Sequence, residues 1–269
     1  MIRNKITNLL IFLMLFVFAS SVMSQQIDKM QLVEKILEVE KTQKTLIQDL
    51  TLDALFIEGE KKKDGRIKEE VRFNKKLYLK FLPDTTLMHE EYLEYLKEGK
   101  PQKEKDMLKE AEKRAKKKKK RKGRDVSYSM YTPFYPEHKN LYEYELIGIY
   151  PELIDGHTCY ELRLNALEET DSLINGTYYI DTTTFNFVKI DFAPAKLVKK
   201  MMFKLHKLDM TILFDKTEEG LCYPKQFIID GKGKAALFIG VNFYITEIYS
   251  NPVFNSGLDD KIFEVQDGK

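Results

Sequence analysis

From Leu50 onward the apolar residues of this chain recur at every second position, and that alternation constrains the fold more than any other feature. Side chains two apart lie on one face of an extended strand, so such runs bury that face only by pairing into a sheet. Leu52, Ala54 and Phe56 form the first run; Asp64-Gly65 supplies a tight turn; Val71, Phe73, Leu77, Leu79 and Phe81 form the second. Aromatic and β-branched runs resume at Tyr142 to Tyr150, Thr158 to Asn165, Thr177 to Thr182, Phe187 to Phe192, Leu208 to Lys216, Tyr223 to Asp230 and Ala235 to Ser250. Asp155-Gly156, Asn175-Gly176 and Gly231-Lys232-Gly233-Lys234 read as hairpin turns, which favours antiparallel neighbours over βαβ crossovers.

Helical spacing is confined to a few segments. Asp28 is placed to cap a helix from Lys29 to about Lys44, with Met30, Val33, Ile36 and Leu37 on one face. Residues 83–99 fit neither period cleanly. A polar run from about 99 to 124 is rich in helix formers. Pro194 to His206 carries Leu197, Val198, Met201, Met202 and Leu205 as an apolar stripe, read as a short helix that either plugs the sheet or serves as a mobile lid over a cavity. The expectation is one mainly β (α+β) domain of about ten strands with two or three helices, a size ordinary for a single β-rich unit. With 43% apolar and 12% aromatic residues the chain can fill such a core.

Residues 1–24 read as a cleavable Sec signal peptide: Arg3 and Lys5 precede an apolar stretch from Leu9 to Ala19, shorter than a spanning helix, then Val22 and Ser24 suit the peptidase site. The alternative is an uncleaved anchor. No cysteine follows for lipid attachment, so a periplasmic domain at 25–269 is expected. Without Arg3 and Lys5 the chain is formally neutral, yet residues 99–124 hold 14 Lys and Arg against four acids, leaving about −10 elsewhere. Lys116, Lys117, Lys118, Lys119, Lys120, Arg121 and Lys122 form its densest part, suited to an anionic membrane surface or else a solvated face. Export argues against nucleic acid as a partner.

Catalytic signals are weak. His89, His138, His157 and His206 are scattered, without metal-ligand spacing, and no nucleophile elbow or phosphate loop occurs. Carboxylate pairs such as Glu90-Glu91 lack a motif. No metal, cofactor or enzymatic activity is expected. Cys159 and Cys222 lie in expected strands of an exported chain, so they form either a disulfide or two small buried side chains.

The order of parts, and two stretches in particular, resemble the LolA/LolB-type superfamily of outer-membrane lipoprotein-sorting carriers. One is Gly176-Thr177-Tyr178-Tyr179-Ile180-Asp181 followed by Val188-Lys189-Ile190; the other is the close from Tyr249 through Asn255, Leu258, Asp259-Asp260 to Phe263. The resemblance covers nearly the whole mature chain, apart from the basic insertion, and transfers no specific binding residue. It implies a half-open, strongly curved antiparallel β-barrel whose concave face holds acyl chains under covering helices. On that basis the expected cavity is lined by the inward-alternating Phe56, Phe73, Leu79, Leu146, Tyr160, Leu162, Tyr178, Ile180, Phe227, Ile229, Phe243 and Ile245. The expected role is a periplasmic carrier or sensor for a lipid or for lipoprotein acyl chains. The alternative is an envelope scaffold with a filled barrel and a basic arm that docks a protein partner; an envelope hydrolase lacks a nucleophile and base.

Overall fold

The computed structural model describes residues 27–83, 85–122, 132–197, 199–200, 203–235 and 239–264, without the side chains of 117–122, 199, 200, 203 and 235. The opening helix α1, Lys29–Leu46, begins on a capping box: the Asp28 carboxylate accepts from the N–H groups of Met30 and Gln31, and the Gln31 side chain accepts from the Asp28 N–H. Its buried face is Leu32, Val33, Ile36 and Glu40, rotated from the expected stripe, so Met30 is exposed. Glu40 is buried as the partner of Lys44, 2.6 Å away, and of the Tyr135 hydroxyl.

Twelve strands follow among the described residues: β1 (Asp49–Lys61), β2 (Ile67–Phe81), β3 (Thr86–Lys97), β4 (Lys100–Pro101), β5 (Tyr142–Ile149), β6 (Cys159–Ala166), β7 (Ile174–Asp181), β8 (Phe187–Pro194), β9 (Lys199–Lys200), β10 (Phe203–Lys216), β11 (Cys222–Ala235) and β12 (Ile239–Phe254). A second helix, α2, spans Glu104–Lys122 between β4 and β5. All pairings are antiparallel, in the order β4-β3-β2-β1-β12-β11-β10-β8-β7-β6-β5, with β9 attached to β10. This is the expected mainly β, curved and unclosed sheet. The unassigned stretch at 83–99 is largely β3, and the basic insertion is helical as read.

Three expectations fail. Pro194 to His206 is not a helix: Lys199–Lys200 pairs with Phe203 and Lys204, and Leu205 is a buried residue of β10. Leu197 lies in the loop before β9, while Met201 and Met202 fall outside the described residues. Pairing along the whole of β11, with a bulge between Leu205 and Lys207, overrides the helical stripe. Asn175-Gly176 and Gly231–Lys234 are not turns either, but lie inside β7 and β11. At Gly231 the Phe243 ring occupies the space a side chain would need, and at Gly176 the Asp191 carbonyl does. Asp64-Gly65 and Asp155-Gly156 do turn the chain, both glycines at positive φ.

Register puts Tyr95, Phe73, Phe56, Glu247, Phe227, Ile212, Ile190, Tyr178, Leu162 and Leu146 in one row on one face, across ten strands. That inner face is covered in two places. Helix α1 and the 3-10 turn Thr132–Phe134 close a core over β5 to β8 that holds Leu162, Leu164, Tyr178, Ile180 and Ile190. Full burial of such side chains contributes roughly 1.5–3 kcal/mol each. Helix α2 closes a smaller core of Phe73, Tyr95 and Met107, and Leu50, Leu52 and Leu77 form a third with Tyr249 and Phe254 packed against it.

The closing residues are stapled to β1. The buried Asp49 carboxylate accepts from the Ser256 N–H and hydroxyl, the Gly257 N–H and the Leu258 N–H at 2.8–3.2 Å. Burial pushes this carboxyl up, but the bonds from Ser256, Leu258 and Gly257 outweigh it and hold it below the ordinary Asp value. Asn255 adds its own contacts to Gln48 and Leu46.

Candidate functional site

Between the two helix-covered cores the inner face has an apolar strip that neither reaches. Leu208 and Met210 of β10, Phe227 and Ile229 of β11, and Phe243 and Ile245 of β12 share that face, since Met210 pairs with Ile229 and Ile229 with Ile245, while Gly231 pairs with both Leu208 and Phe243. All six are half-buried, and none belongs to the three packed clusters. Together they form a half-exposed apolar strip, hereafter the trough. Gly231 leaves room for the Phe243 ring over the β11 backbone, where any larger residue would collide with it.

One wall of the trough is ionic. Lys75 of β2 is 4% exposed, with Nζ 2.5 Å from Glu90 Oε1 and 2.7 Å from Glu247 Oε1. Its ammonium also lies over the Phe56 and Tyr92 rings, at 5.6 and 5.9 Å from their centroids. The Tyr92 hydroxyl donates to Glu90, and Tyr249 is hydrogen-bonded to Glu247. Burial pushes the Lys75 ammonium toward deprotonation, yet Glu247 and Glu90 outweigh it and raise its pKa above the ordinary value. Such a lysine stays charged and is no nucleophile. Burial first, then the neighbouring carboxylate, drives the Tyr92 and Tyr249 phenols well upward, so both remain hydrogen-bond donors.

Beside this wall sits Arg114 of α2. It pairs with Glu58 of β1 at 2.7 Å and stacks over Phe56 and Phe73 at 5.0 and 5.3 Å from their centroids. Its Nε lies 3.3 Å from Glu110 but is not aligned for a hydrogen bond.

The residues expected to line a cavity therefore divide. Phe227, Ile229, Phe243 and Ile245 lie in the trough; Leu146, Tyr160, Leu162, Tyr178 and Ile180 are packed in or against the α1 core; Phe56 and Phe73 sit under α2; Leu79 flanks the third cluster. Leu208, Met210, Lys75 and Glu247 escape the sequence reading, although a lysine at an inward position between Phe73 and Leu77 is a visible signal. Glu90 and Glu91 face opposite ways, Glu91 accepting from Tyr78 at 2.7 Å.

Cys159 and Cys222 are free thiols, not a disulfide: each Sγ points to a local carbonyl, of His157 and Gly220 respectively. Burial pushes both up to about 11. His157 serves a turn, its Nδ1 2.6 Å from Asp181, whose other oxygen accepts from Thr183 and Thr184. Among the described residues no three His, Cys, Asp or Glu side chains gather as metal ligands, and no helix is long and apolar enough to cross a membrane.

No family model and no curated protein matches the chain. Among solved structures it is similar to a DUF1329 family protein from Desulfovibrio piger ATCC 29098, at 14% identity over 87% of this chain and 96% of that one, with a TM-score of 0.42. It is also similar to a LolA superfamily protein from Nitrosomonas europaea, at 12% identity over 85% and 96%, with a TM-score of 0.34. At such identities and scores, function has to be sought in the chain's own geometry.

Proposed function

We propose that the protein is an exported, periplasmic, non-enzymatic carrier or sensor that takes an acyl chain of a lipid or lipoprotein into the trough between its two helix-covered cores. The observation that carries this reading is the six half-buried side chains, Leu208, Met210, Phe227, Ile229, Phe243 and Ile245, aligned on the inner face and left out of every core. An extended hydrocarbon laid along them gains about 0.8 kcal/mol for each methylene it buries. The Lys75–Glu247 pair gives the same strip one polar border on the β1 side.

Native mass spectrometry of protein purified from its own envelope tests the proposal. A co-purifying phospholipid or acylated peptide, displaced by a fluorescent fatty acid and lost in Ile229→Asp, is the expected result. Ligand-free protein that also fails to bind the fatty acid overturns it, and leaves a scaffold role for the same fold.

A further inference from the structure

We infer that α2 is a docking surface for anionic bilayers and that docking lifts it from the sheet. The helix touches the sheet through a narrow stripe at helical spacing, Met107, Glu110, Ala111 and Arg114, and Met107 is the one large apolar residue in it. Leu108 points outward, 56% exposed. The strongest anchor is ionic: Arg114 to Glu58, a carboxylate itself 37% exposed. The helix is thus held by this pair, by the Arg114 guanidinium over Phe56 and Phe73, and by one buried methionine, so most of its hold runs through a single cation that an anionic surface can compete for.

The charge on the same helix supplies the partner. Residues 116–122 are all Lys or Arg, a run of seven like charges that repel one another. A negatively charged bilayer surface relieves that repulsion, and each base close to it raises binding about fivefold. An anionic bilayer also competes with Glu58 for Arg114, which ties docking to release. Once α2 leaves, Phe56 and Phe73 are uncovered, and through Glu247 they share a row with Phe227. Release would then widen the trough from the β1 side. That use of the motion rests on the acyl-binding reading; the docking itself does not.

The chain contains no tryptophan, so a single introduced indole reports on one place. Tyr95→Trp puts it beneath α2, where Tyr95 stacks on Phe73 at 4.6 Å; Phe134→Trp places a control in the α1 core. Both proteins are mixed with vesicles of phosphatidylcholine alone or with one quarter phosphatidylglycerol, at low and high salt. The expected result is sedimentation with the anionic vesicles only, weakened about 100-fold when Lys117, Lys118 and Lys119 are all changed to Gln. Acrylamide quenching at position 95 should rise on binding while position 134 stays protected. Equal binding to both vesicle types overturns the docking surface. Binding with position 95 still protected overturns the release. Should Tyr95→Trp fold poorly, loss of amide-exchange protection across 104–114 on adding anionic vesicles gives the same two answers. Failure of the acyl-binding reading shows separately, as no fatty-acid binding without vesicles.

Discussion

Replacing Lys75 by methionine keeps the volume of a buried side chain but removes the cation between two carboxylates. Lys75 is 4% exposed, and the side chains of Glu90 and Glu247 are 14% and 16% exposed, so their charges are left facing one another with little water. Breaking a buried pair by deleting one partner costs about 3–5 kcal/mol. The residual solvent at both carboxylates puts the expected loss near the low end, about 3 kcal/mol at pH 7. With a urea dependence of about 3 kcal/mol per molar for a chain of this size, the midpoint should fall by about 1 M, read by near-ultraviolet circular dichroism of the tyrosines. Adding Glu247→Gln should restore at least about 1 kcal/mol by removing the like-charge contact. Because Glu247 and Glu90 hold the folded lysine above its unfolded pKa, its contribution is complete below that value and is lost only as pH rises through the folded one. The gap between wild type and variant should therefore be flat from neutrality to about pH 10 and narrow above it. A midpoint shift below about 0.3 M, or no recovery in the double variant, would refute the claim that this triad is a stabilising buried unit.

Asp49→Asn should cost about 1–3 kcal/mol at pH 7 by weakening the staple to Ser256, Gly257 and Leu258. Since the folded Asp49 carboxyl is held low, its contribution is present above the unfolded value and is lost as pH falls through the folded one; thermal melts of the two proteins should converge below about pH 4. Ile180→Ala, at a fully buried position, should cost about 2–5 kcal/mol of stability, whereas Ile229→Ala should cost about 1 kcal/mol or less yet weaken fatty-acid binding roughly fivefold or more. Equal losses of stability in the pair would place Ile229 in the core and not in the trough. Without reductant, both thiols should resist iodoacetamide at pH 8 in the native protein and both react in urea; a single mass lacking two adducts after unfolding would mean a bridge.

Strand identity was legible because alternation is a local property: Phe73, Leu77 and Leu79 announce their common face without reference to any partner. The α1 cap was legible for the same reason, Asp28 and Gln31 being three residues apart. Glycine was not. Gly65 and Gly156 bend the chain, while Gly176 and Gly231 sit flat inside strands, and the difference lies in Asp191 and Phe243, residues 15 and 12 positions away that fill the space over each glycine. The site was legible only in part. Period two tells that Leu162 and Ile229 both point inward, but which is sealed by a helix depends on where α1 lands, and nothing in either strand encodes that. The ionic wall was hidden by distance along the chain, since Lys75 meets a carboxylate fifteen residues away and another on the last strand.

The open trough follows from the shape of a sheet on which α1 and α2 are the described α-helices. Eleven strands side by side span about 48 Å measured along the sheet, at about 4.8 Å per neighbour. A helix covers a band about 10 Å wide, so α1 and α2 together cover less than half of that width. Curvature and large side chains such as Phe134 and Tyr178 close much of the remainder on the α1 side, where the core is dense. Over β10 to β12 none of the described residues does the same. The segment that a third helix would have used, Pro194 to His206, is spent instead on β9 and the start of β10, which lengthens the sheet it would have covered. Side chains on those strands must then be apolar enough to keep the row continuous and yet tolerate water when the trough is empty. Half-buried Phe227, Ile229, Phe243 and Ile245 meet the first condition at a standing cost in the second, and an acyl chain that fills the strip removes that cost. The same strand pairing that eliminates the lid thus creates the surface that a ligand would complete.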